Sequence, residues 1–216
     1  MAIPPEHIDD HVFNTLLQKG FRRSGQFTYR PHCDGCQRCI AVRVRALDFV
    51  PDRTQRKLVN RLNQPGFMQI RERPLEFNAE HYALYQAYQR ARHPQGGMDE
   101  DDQDQYAQFL LGSHVDTRII EFRIDGRVVM ISVIDILKDG ISAVYTFYDP
   151  TNPRDSLGTY AILWQIIQCQ YNQLPYLYLG YWIAESPKMA YKARFQPMEM
   201  LVDGDWIKMP DSAQHP

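Results

Sequence analysis

Three apolar stretches joined by two tight-turn signals constrain the fold of this 216-residue chain more than any other feature. The stretches cover residues 118–124, 127–137 and 141–148. The dipeptides between them, Asp125-Gly126 and Asp139-Gly140, are typical of β-hairpin turns. A helical pattern over residues 159–171 and a strand over residues 176–179 follow. Because a strand, a helix and a second strand in succession form a right-handed parallel crossover, the sequence predicts an antiparallel meander extended by one parallel strand.

This order of elements predicts an α+β fold with a mixed sheet flanked by helices, similar to the core of GNAT acyltransferases (acyl-CoA N-acyltransferases). Alternation of apolar residues with arginine over residues 40–47 predicts a strand whose exposed face carries Arg43 and Arg45. Further strands are expected at 27–30, 67–73 and 198–207, and helices after Asp9 and over 53–63, 78–92, 103–111 and 188–195. We expect an N-terminal Cys-loop and basic region, residues 1–75, and a GNAT-like C-terminal region, residues 76–216, packed as one compact unit.

Charge is unevenly distributed along the chain, although the net charge is only -2. Residues 21–73 carry eleven Arg and one Lys against three Asp and one Glu. Residues 94–139, which include a glycine-rich acidic loop at 96–99, carry ten acidic and four basic residues. This asymmetry is compatible with a polyanion that docks on one face, but charge alone favours the alternative of a solvated arginine-rich surface. No apolar run approaches the roughly 20 residues that a membrane span needs, and the start does not have the pattern of a signal peptide.

Cys33, Cys36 and Cys39 lie within seven residues of one another, whereas Cys169 lies far away in a helical pattern. So few cysteines in a chain of this length indicate a reducing, cytoplasmic location rather than a disulfide scaffold. The three thiols form an incomplete tetrahedral set, which a zinc or iron–sulfur site would complete with a fourth ligand such as His32 or His11. The alternative is a tight loop of reduced thiols.

Several charged residues stand where a helix or a strand would ordinarily not need them. Asp135 interrupts an apolar strand and predicts either an anchor for a substrate amine or an internal salt bridge. Arg92 and His93 end a helix and suit either that helix end or a bound carboxylate. Lys188 is placed in the first turn of a predicted helix, where a cation opposes the helix dipole and therefore indicates anion binding. Gly180 and Tyr181 predict either a splayed strand edge where a ligand meets the backbone or simply an aromatic strand of the core.

Eight stretches distributed over nearly the whole chain resemble the bacterial aspartate/glutamate leucyltransferases, relatives of the eukaryotic arginyl-tRNA–protein transferases. They are Gly20–Gly25, Tyr29–Cys39, Arg53–Lys57, Tyr88–Met98, Tyr145–Pro150, Ser156–Thr159, Tyr178–Ile183 and Lys188–Lys192. The resemblance implies transfer of leucine from leucyl-tRNA to proteins that begin with Asp or Glu, which marks them for degradation. It also implies a duplicated, GNAT-like fold and a cytoplasmic location.

The chain departs from this family at two places. Members carry a further N-terminal segment with a Cys-x-Tyr-Leu-Pro motif, so we expect this chain to be an N-terminally shortened form that begins after it. The cysteine of that segment is the expected fourth thiol, which leaves the metal set of Cys33, Cys36 and Cys39 incomplete here. Ser186 occupies a position where relatives often have cysteine.

The implied reaction is aminolysis of an activated ester by an α-amine, which requires no covalent nucleophile and no cofactor. We expect Asp135 to hold the amine of the leucyl group, and Tyr145, Tyr148 and Tyr181 to line the catalytic cleft, where their rings can stack on the terminal adenosine. The candidates for binding the acidic acceptor residue are Arg43, Arg92, His93 and Lys188. The candidates for contacts with tRNA phosphates are Arg53, Arg56, Lys57 and Arg61. The alternatives are a metal-containing RNA-binding module without transferase activity and a coenzyme-A-dependent N-acetyltransferase.

Overall fold

A computed structural model describes residues 2–3, 7–93, 102–151 and 156–210 of the chain. Its strands are β1 (Ala2–Ile3), β2 (Arg22–Ser24), β3 (Phe27–Tyr29), β4 (Ile40–Arg45), β5 (Gln69–Arg73), β6 (Thr117–Ile124), β7 (Arg127–Ile136), β8 (Gly140–Tyr148), β9 (Tyr176–Trp182), β10 (Met198–Val202) and β11 (Asp205–Lys208). Its α-helices are α1 (Asp10–Gln18), α2 (Arg53–Leu62), α3 (Ala79–Arg92), α4 (Gln103–Tyr106) and α5 (Leu157–Tyr171). A π-helical turn (Ala107–Leu111) continues α4, and two short 3-10 helices cover Ala46–Asp48 and Ala190–Arg194. The predicted glycine-rich loop at 96–99 lies outside the described residues.

An eight-stranded mixed sheet organises the fold, with the strand order β11-β10-β4-β9-β8-β7-β6-β5. The strands β6, β7 and β8 form the predicted antiparallel meander, and α5 leads from β8 to β9, which pairs with β8 in parallel. The predicted α+β fold with a mixed sheet flanked by helices is confirmed. A separate three-stranded sheet has the order β1-β3-β2. The predicted duplication of the core stays a prediction.

Two strands from the first 75 residues, β4 and β5, belong to the large sheet, whereas β1, β2 and β3 form the small one. The strand β4 lies between β9 and β10, and β5 forms the edge next to β6. The N-terminal region therefore supplies both an interior strand and an edge strand of the sheet that carries the meander.

Helices pack on both faces of this sheet. Successive side chains of a strand point to opposite faces, so a single strand contributes to the core on each side. On one face, Met130 and Ile134 of β7 pack into a core that contains the buried residues of α5. On the other face, Ile131 and Val133 of the same strand pack with Tyr85 of α3. This packing of α3 against β7 and β8 brings its carboxyl end close to the end of β8.

Polar side chains cap the starts of two helices that border the site. Asn78 accepts hydrogen bonds from the backbone N–H groups of Glu80 and His81 at the start of α3. Asp52 accepts from Thr54 and Gln55 at the start of α2, where the Gln55 side chain in turn accepts from the Asp52 N–H group in a capping box. These caps fix where the basic helix α2 and the helix that ends at Arg92 begin.

Two local predictions are wrong. The segment after Pro187 is a turn followed by the 3-10 helix Ala190–Arg194, so Lys188 does not stand in the first turn of an α-helix. Arg43 is buried rather than exposed, because β4 has a neighbouring strand on each side. Its Nε donates to Glu199 across 2.8 Å, and its guanidinium lies 3.6 Å from the centre of the Tyr176 ring. Arg45, by contrast, is exposed as predicted.

Within the described ranges, no helix is both long and apolar enough to cross a membrane.

Candidate active site

The parallel strands β8 and β9 separate where a cavity begins. They pair only over Gly140–Ser142 and Tyr176–Tyr178, after which β8 continues to Tyr148 with β7 as its paired strand. A cavity of about 710 Å³ lies beyond this point. The end of β8, the end of α3, the first half of α5 and the segment 187–192 form its walls. Gaps where parallel strands diverge are common ligand sites in α/β sheets.

Five of the residues singled out in the sequence line this one cavity. They are Arg92, His93, Tyr145, Tyr148 and Lys188. The Arg92 guanidinium lies 5.6 Å from the centre of the Tyr148 ring, within the range of a cation–π contact. The Tyr88 ring contacts the rings of Tyr148 and His93, with ring-centre distances of 5.0 Å and 5.8 Å, respectively. Aromatic contacts between α3 and β8 therefore hold the basic end of the helix at the cavity.

The charged side chains described in the lining of this cavity are all basic. Its described lining contains Arg92, His93, Lys188 and Lys192, and no Asp or Glu. Burial lowers the pKa of His93, and the positive charges of Lys188 and Arg92 lower it further. The two basic side chains next to this imidazole leave the cavity suited to an anionic group.

Lys192 is a cavity residue that the sequence analysis missed. Its ammonium donates to the main-chain oxygen of Tyr181 across 2.5 Å. Burial lowers its pKa from 10.5 to about 7, and the nearby charge of Arg22 contributes. Lys192 belongs to the stretch Lys188–Lys192, which resembles the family, but the helix predicted there indicated a role for Lys188 only. The lowered pKa brings proton exchange by Lys192 close to neutral pH.

Arg22 fills the gap between the separating strands. It donates to the Ser142 hydroxyl across 3.1 Å and to the Ala143 carbonyl across 2.5 Å. Gly180 on β9 has φ +76°, and a Cβ atom there would stand 3.3 Å from Arg22 Nε. Gly180 is therefore approached by a buried arginine, not by the ligand that the sequence predicted at this strand edge.

Gln165 of α5 is a second residue that the sequence analysis missed. Its side chain lines the cavity and is almost fully buried, and its Oε1 has no hydrogen-bond partner among the described residues. An unpaired buried acceptor costs about 1–3 kcal/mol. A donor on a bound substrate would remove that cost. No periodic pattern distinguishes Gln165 from the other glutamines of α5, so its position becomes visible only in the fold.

Asp135 does not reach this cavity. The carboxylate is fully buried and accepts two hydrogen bonds from Arg23, across 2.6 and 2.8 Å, and one from Thr117 across 2.7 Å. The internal salt bridge, which the sequence offered as the alternative, is the observed arrangement. Its burial and full set of partners argue against the predicted role of Asp135 in holding the amine of a substrate.

Tyr181 also lies outside the cavity that holds Tyr145 and Tyr148. Its hydroxyl donates to the Gly20 carbonyl across 2.7 Å, and its ring lies beside Tyr29. Its side chain borders a different cavity, of about 1160 Å³, next to the cysteine loop. Of the predicted catalytic residues, only Tyr145 stands with the cations. Arg43, paired internally with Glu199, is likewise not among the residues that line this site.

The cysteine loop makes one tight turn. The Cys36 N–H group donates to the Cys33 carbonyl across 3.3 Å, and Gly35 between them has φ +69°. Cys33 and Cys36 are exposed, and Cys39 is half-buried with its pKa raised by burial and by the other two thiols. In the part of the chain that is described, no three His, Cys, Asp or Glu side chains are grouped to hold a metal ion. The thiols as placed do not fit zinc or an iron–sulfur cluster, and that site stays a prediction.

The basic residues predicted to contact tRNA follow one exposed helix. Arg53, Arg56, Lys57 and Arg61 all lie on α2 with exposed side chains. Lys57 and Arg61 also line a further cavity next to the first one. The contacts of these four residues with tRNA stay predictions.

Comparisons with known proteins identify relatives over nearly the whole chain. Two family models match, the N terminus of the arginine-tRNA-protein transferases over residues 1–57 and their C terminus over residues 80–202. An aspartate/glutamate leucyltransferase of Thiobacillus denitrificans is 55% identical over 95% of this chain and 85% of its own length. The enzymes of the same name from Chromobacterium violaceum and Nitrosospira multiformis are 53% and 49% identical, over 98% and 100% of this chain and 86% and 85% of their own lengths.

A solved structure with a much lower identity is also similar to this chain. It is L-PGS from Bacillus licheniformis, with 15% identity and a TM-score of 0.46, over 73% of this chain and 52% of that one.

The length and identity of the sequence matches decide the family. The model for the C terminus alone covers more than half of the chain, and the bacterial relatives share about half of their residues with it. The chain therefore belongs to the arginine-tRNA-protein transferase family and is an aminoacyltransferase that uses a tRNA substrate and a protein acceptor.

Proposed function

We propose that the enzyme transfers leucine from leucyl-tRNA to the α-amine of proteins that begin with Asp or Glu, and that it does so in the cytoplasm. The names of the bacterial relatives support both the donor and the acceptor. One observation carries the proposal: Arg92, His93, Lys188 and two tyrosines meet in a single cavity whose described lining has no acidic residue. Such a cavity favours an acceptor that brings its own carboxylate.

This reaction mainly requires the enzyme to position the acceptor amine against the ester. The acceptor nitrogen attacks the ester carbonyl carbon, the new N–C bond forms, and the bond from that carbon to the ribose oxygen breaks. An α-amine has a pKa near 7.7–8.0, so roughly a tenth of it is already unprotonated at pH 7. Holding the two substrates in contact can then supply most of the acceleration. No covalent enzyme intermediate is needed.

Arg92 and Lys188 are assigned to the side-chain carboxylate of the acceptor. Both are exposed at the cavity, and neither forms a salt bridge with any described residue. A charge-assisted hydrogen bond to a carboxylate contributes about 1.5–3 kcal/mol. Next to these cations His93, with its lowered pKa, serves as a neutral hydrogen-bonding partner. An acceptor that begins with alanine would leave both cations without a partner.

We assign the proton transfers of the reaction to Lys192. Lys192 lines the cavity, and its Nζ donates to the Tyr181 carbonyl. In its neutral form it would keep that bond and have a lone pair to accept a proton from a group bound in the cavity. It takes the proton that the acceptor nitrogen loses, and returns a proton to the ribose oxygen as that group leaves. A general base is most effective when its pKa is near the working pH. The value of about 7 for Lys192 meets this condition.

The amine of the leucyl group is assigned to Gln165 instead of Asp135. The unpaired Oε1 of Gln165 belongs to a residue that lines the cavity. The carboxylate of Asp135, in contrast, is occupied by Arg23. Tyr145 and Tyr148 are assigned to the terminal adenosine, since aromatic rings stack on unpaired bases.

A transfer assay with leucyl-tRNA and three peptides that differ only in their first residue, Asp, Glu or Ala, tests the proposal. We expect leucine to be added to the Asp and Glu peptides and not to the Ala peptide. Arginyl-tRNA in place of leucyl-tRNA serves as the control for the donor. Equal transfer to all three peptides would contradict the assignment of the cations. Tight tRNA binding without transfer would favour an RNA-binding module, and turnover of acetyl-CoA would favour an acetyltransferase.

A further inference from the structure

A second cavity, of about 710 Å³, adjoins the candidate active site. One wall is the helix α2, with Lys57, Leu58 and Arg61, and the opposite wall is the segment from Tyr191 to Gln196. Neither the resemblance nor the comparisons give this cavity an occupant. Its volume is that of a pocket for a small ligand or a short stretch of chain.

Positive charge dominates this cavity. Lys57, Arg61 and Arg194 line it, and all three side chains belong to exposed residues. Asp52 is the single acidic residue of the described lining, and its carboxylate already accepts from Thr54 across 2.6 Å and Gln55 across 2.8 Å. The acid is therefore committed to capping α2, and the remaining field of the cavity attracts an anion.

The two cavities share a boundary. Thr159 and Tyr191 line both of them. Tyr191 has 42% of its surface exposed, so its ring is available to a ligand that passes from one cavity to the other. A basic groove that leads past an aromatic ring is the usual arrangement for binding unpaired nucleotides, because cations follow the phosphates and rings stack on the bases.

We propose that this second cavity binds the single-stranded 3′ end of the tRNA, so that the terminal aminoacylated nucleotide passes Tyr191 into the candidate active site. The inference rests on the proposed function and assigns a path to its donor. Lys57, Arg61 and Arg194 neutralise the phosphodiesters that precede the terminal nucleotide. The ester then arrives in the cavity that holds Lys192, where the acceptor amine attacks.

The surface around the cavity favours RNA over an acidic peptide. Arg53 and Arg56 lie on the same helix but outside the cavity, and they extend its positive charge along α2. A long polyanion can use this extension, whereas an acceptor that is selected by its first residue needs only the cations of the active site. The helix therefore divides into residues for the 3′ end and residues for the rest of the tRNA.

Binding of uncharged tRNA tests this division. The probes are one tRNA with its complete 3′ end and the same tRNA with its unpaired 3′ nucleotides removed. The test variant is Lys57→Gln/Arg194→Gln, and the matched control is Arg53→Gln/Arg56→Gln, which removes the same charge outside the cavity. All four side chains are exposed, and a thermal melt confirms that each variant folds.

We expect the unaltered enzyme to lose about tenfold in affinity when the 3′ end is removed, and Lys57→Gln/Arg194→Gln to bind both probes with that lower affinity. The slope of log K against log salt should fall by about 1.4 in this variant, since each phosphate contact to a single strand contributes about 0.7. The control variant should weaken both probes by the same factor and keep the tenfold difference between them.

Two outcomes would overturn the inference. One is a Lys57→Gln/Arg194→Gln variant that still distinguishes the two probes as the unaltered enzyme does. The other is a variant whose tRNA affinity is intact while its affinity for a peptide beginning with Asp falls, which would make this a peptide site. Neither probe carries an amino acid, so the binding measurement does not depend on transfer. An enzyme that fails to transfer leucine but binds the 3′ end through Lys57 and Arg194 would refute the proposed donor and leave this inference standing.

Discussion

The guanidinium of Arg23 holds both carboxylate oxygens of Asp135, across 2.6 and 2.8 Å, at a place where the Asp135 side chain has no exposed surface. The two residues are 112 positions apart in the chain. Their contact attaches β2, from the small sheet, to β7, an interior strand of the large one. The pair thereby fixes the neighbouring Arg22 in the gap between β8 and β9.

Replacing Asp135 with alanine should destabilise the fold before it affects chemistry. Removing one partner leaves the Arg23 charge buried and unpaired, which costs about 3–5 kcal/mol. Urea unfolding of Asp135→Ala measures this loss. The control is Glu72→Ala, which breaks the exposed pair with Arg118 and should cost less than about 1 kcal/mol. A stable Asp135→Ala enzyme with a specific defect in leucine transfer would restore the predicted catalytic role.

The cysteine loop should be dispensable for the transfer step. Aminolysis of an ester by an α-amine uses groups of the cavity between β8 and β9, whereas the loop borders a different cavity. We therefore expect treatment with a metal chelator, and the variant Cys36→Ser, to leave the rate of leucine transfer unchanged. Elemental analysis of the enzyme purified without added metal accompanies the assay. Bound zinc or iron, together with loss of transfer after chelation, would show that the loop supports the active site.

Sequence patterns predict the parts of this fold that depend on neighbours along the chain. The turn dipeptides at Asp125 and Asp139 predict the meander, and Asn78 predicts the start of α3, because each acts within a few residues. The carboxyl end of α3 follows from the same helix, which is why Arg92 and His93 are found at the site.

Contacts between distant segments are what the sequence could not supply. The alternating pattern around Arg43 is typical of a strand with one open face, but it does not reveal that Tyr176 and Glu199 come from neighbouring strands to enclose the side chain. Asp135 could be recognised as unusual, yet its partner lies in another sheet. Lys192 owes its lowered pKa to burial and to Arg22, both products of tertiary structure.

Gln165→Leu should impair use of the charged tRNA without weakening binding of the uncharged one. The substitution removes the oxygen that is assigned to the leucyl amine, while it keeps a side chain of similar size in α5. We expect KM for leucyl-tRNA to rise and the Kd for uncharged tRNA to stay the same. Since the unpaired oxygen costs about 1–3 kcal/mol in the free enzyme, Gln165→Leu should also be at least as stable to urea as the original. An unchanged KM would remove Gln165 from the site.

Lys192 should give the transfer reaction a characteristic pH dependence. Its pKa is lowered from 10.5 to about 7, so it is mostly protonated below pH 7 and able to accept a proton only above it. The acceptor amine, with a pKa near 7.7–8.0, must also be neutral. Below pH 7, log kcat/KM should therefore rise with a slope of about two in the original enzyme and about one in Lys192→Met.

The size of the effect separates this role from a structural one. Loss of a general base lowers the rate by about 10²–10⁴-fold, whereas a packing defect would lower it without changing the slope. Lys192→Arg is the control for charge, because its guanidinium stays protonated and cannot accept the proton. It should be as slow as Lys192→Met although it keeps a donor for the Tyr181 carbonyl.

Removing the charges of Arg92 and Lys188 should reduce the selection of acidic acceptors. In Arg92→Gln/Lys188→Gln, kcat/KM for a peptide beginning with Asp should fall about 10²- to 10⁴-fold relative to one beginning with Ala, since each of the two charged hydrogen bonds contributes about 1.5–3 kcal/mol. Arg90→Gln is the matched control, because Arg90 lies in the same last turn of α3 but does not line the cavity. Selectivity that survives in the double variant while affinity for tRNA collapses would mean that these cations contact phosphate, and that the acceptor carboxylate is bound elsewhere.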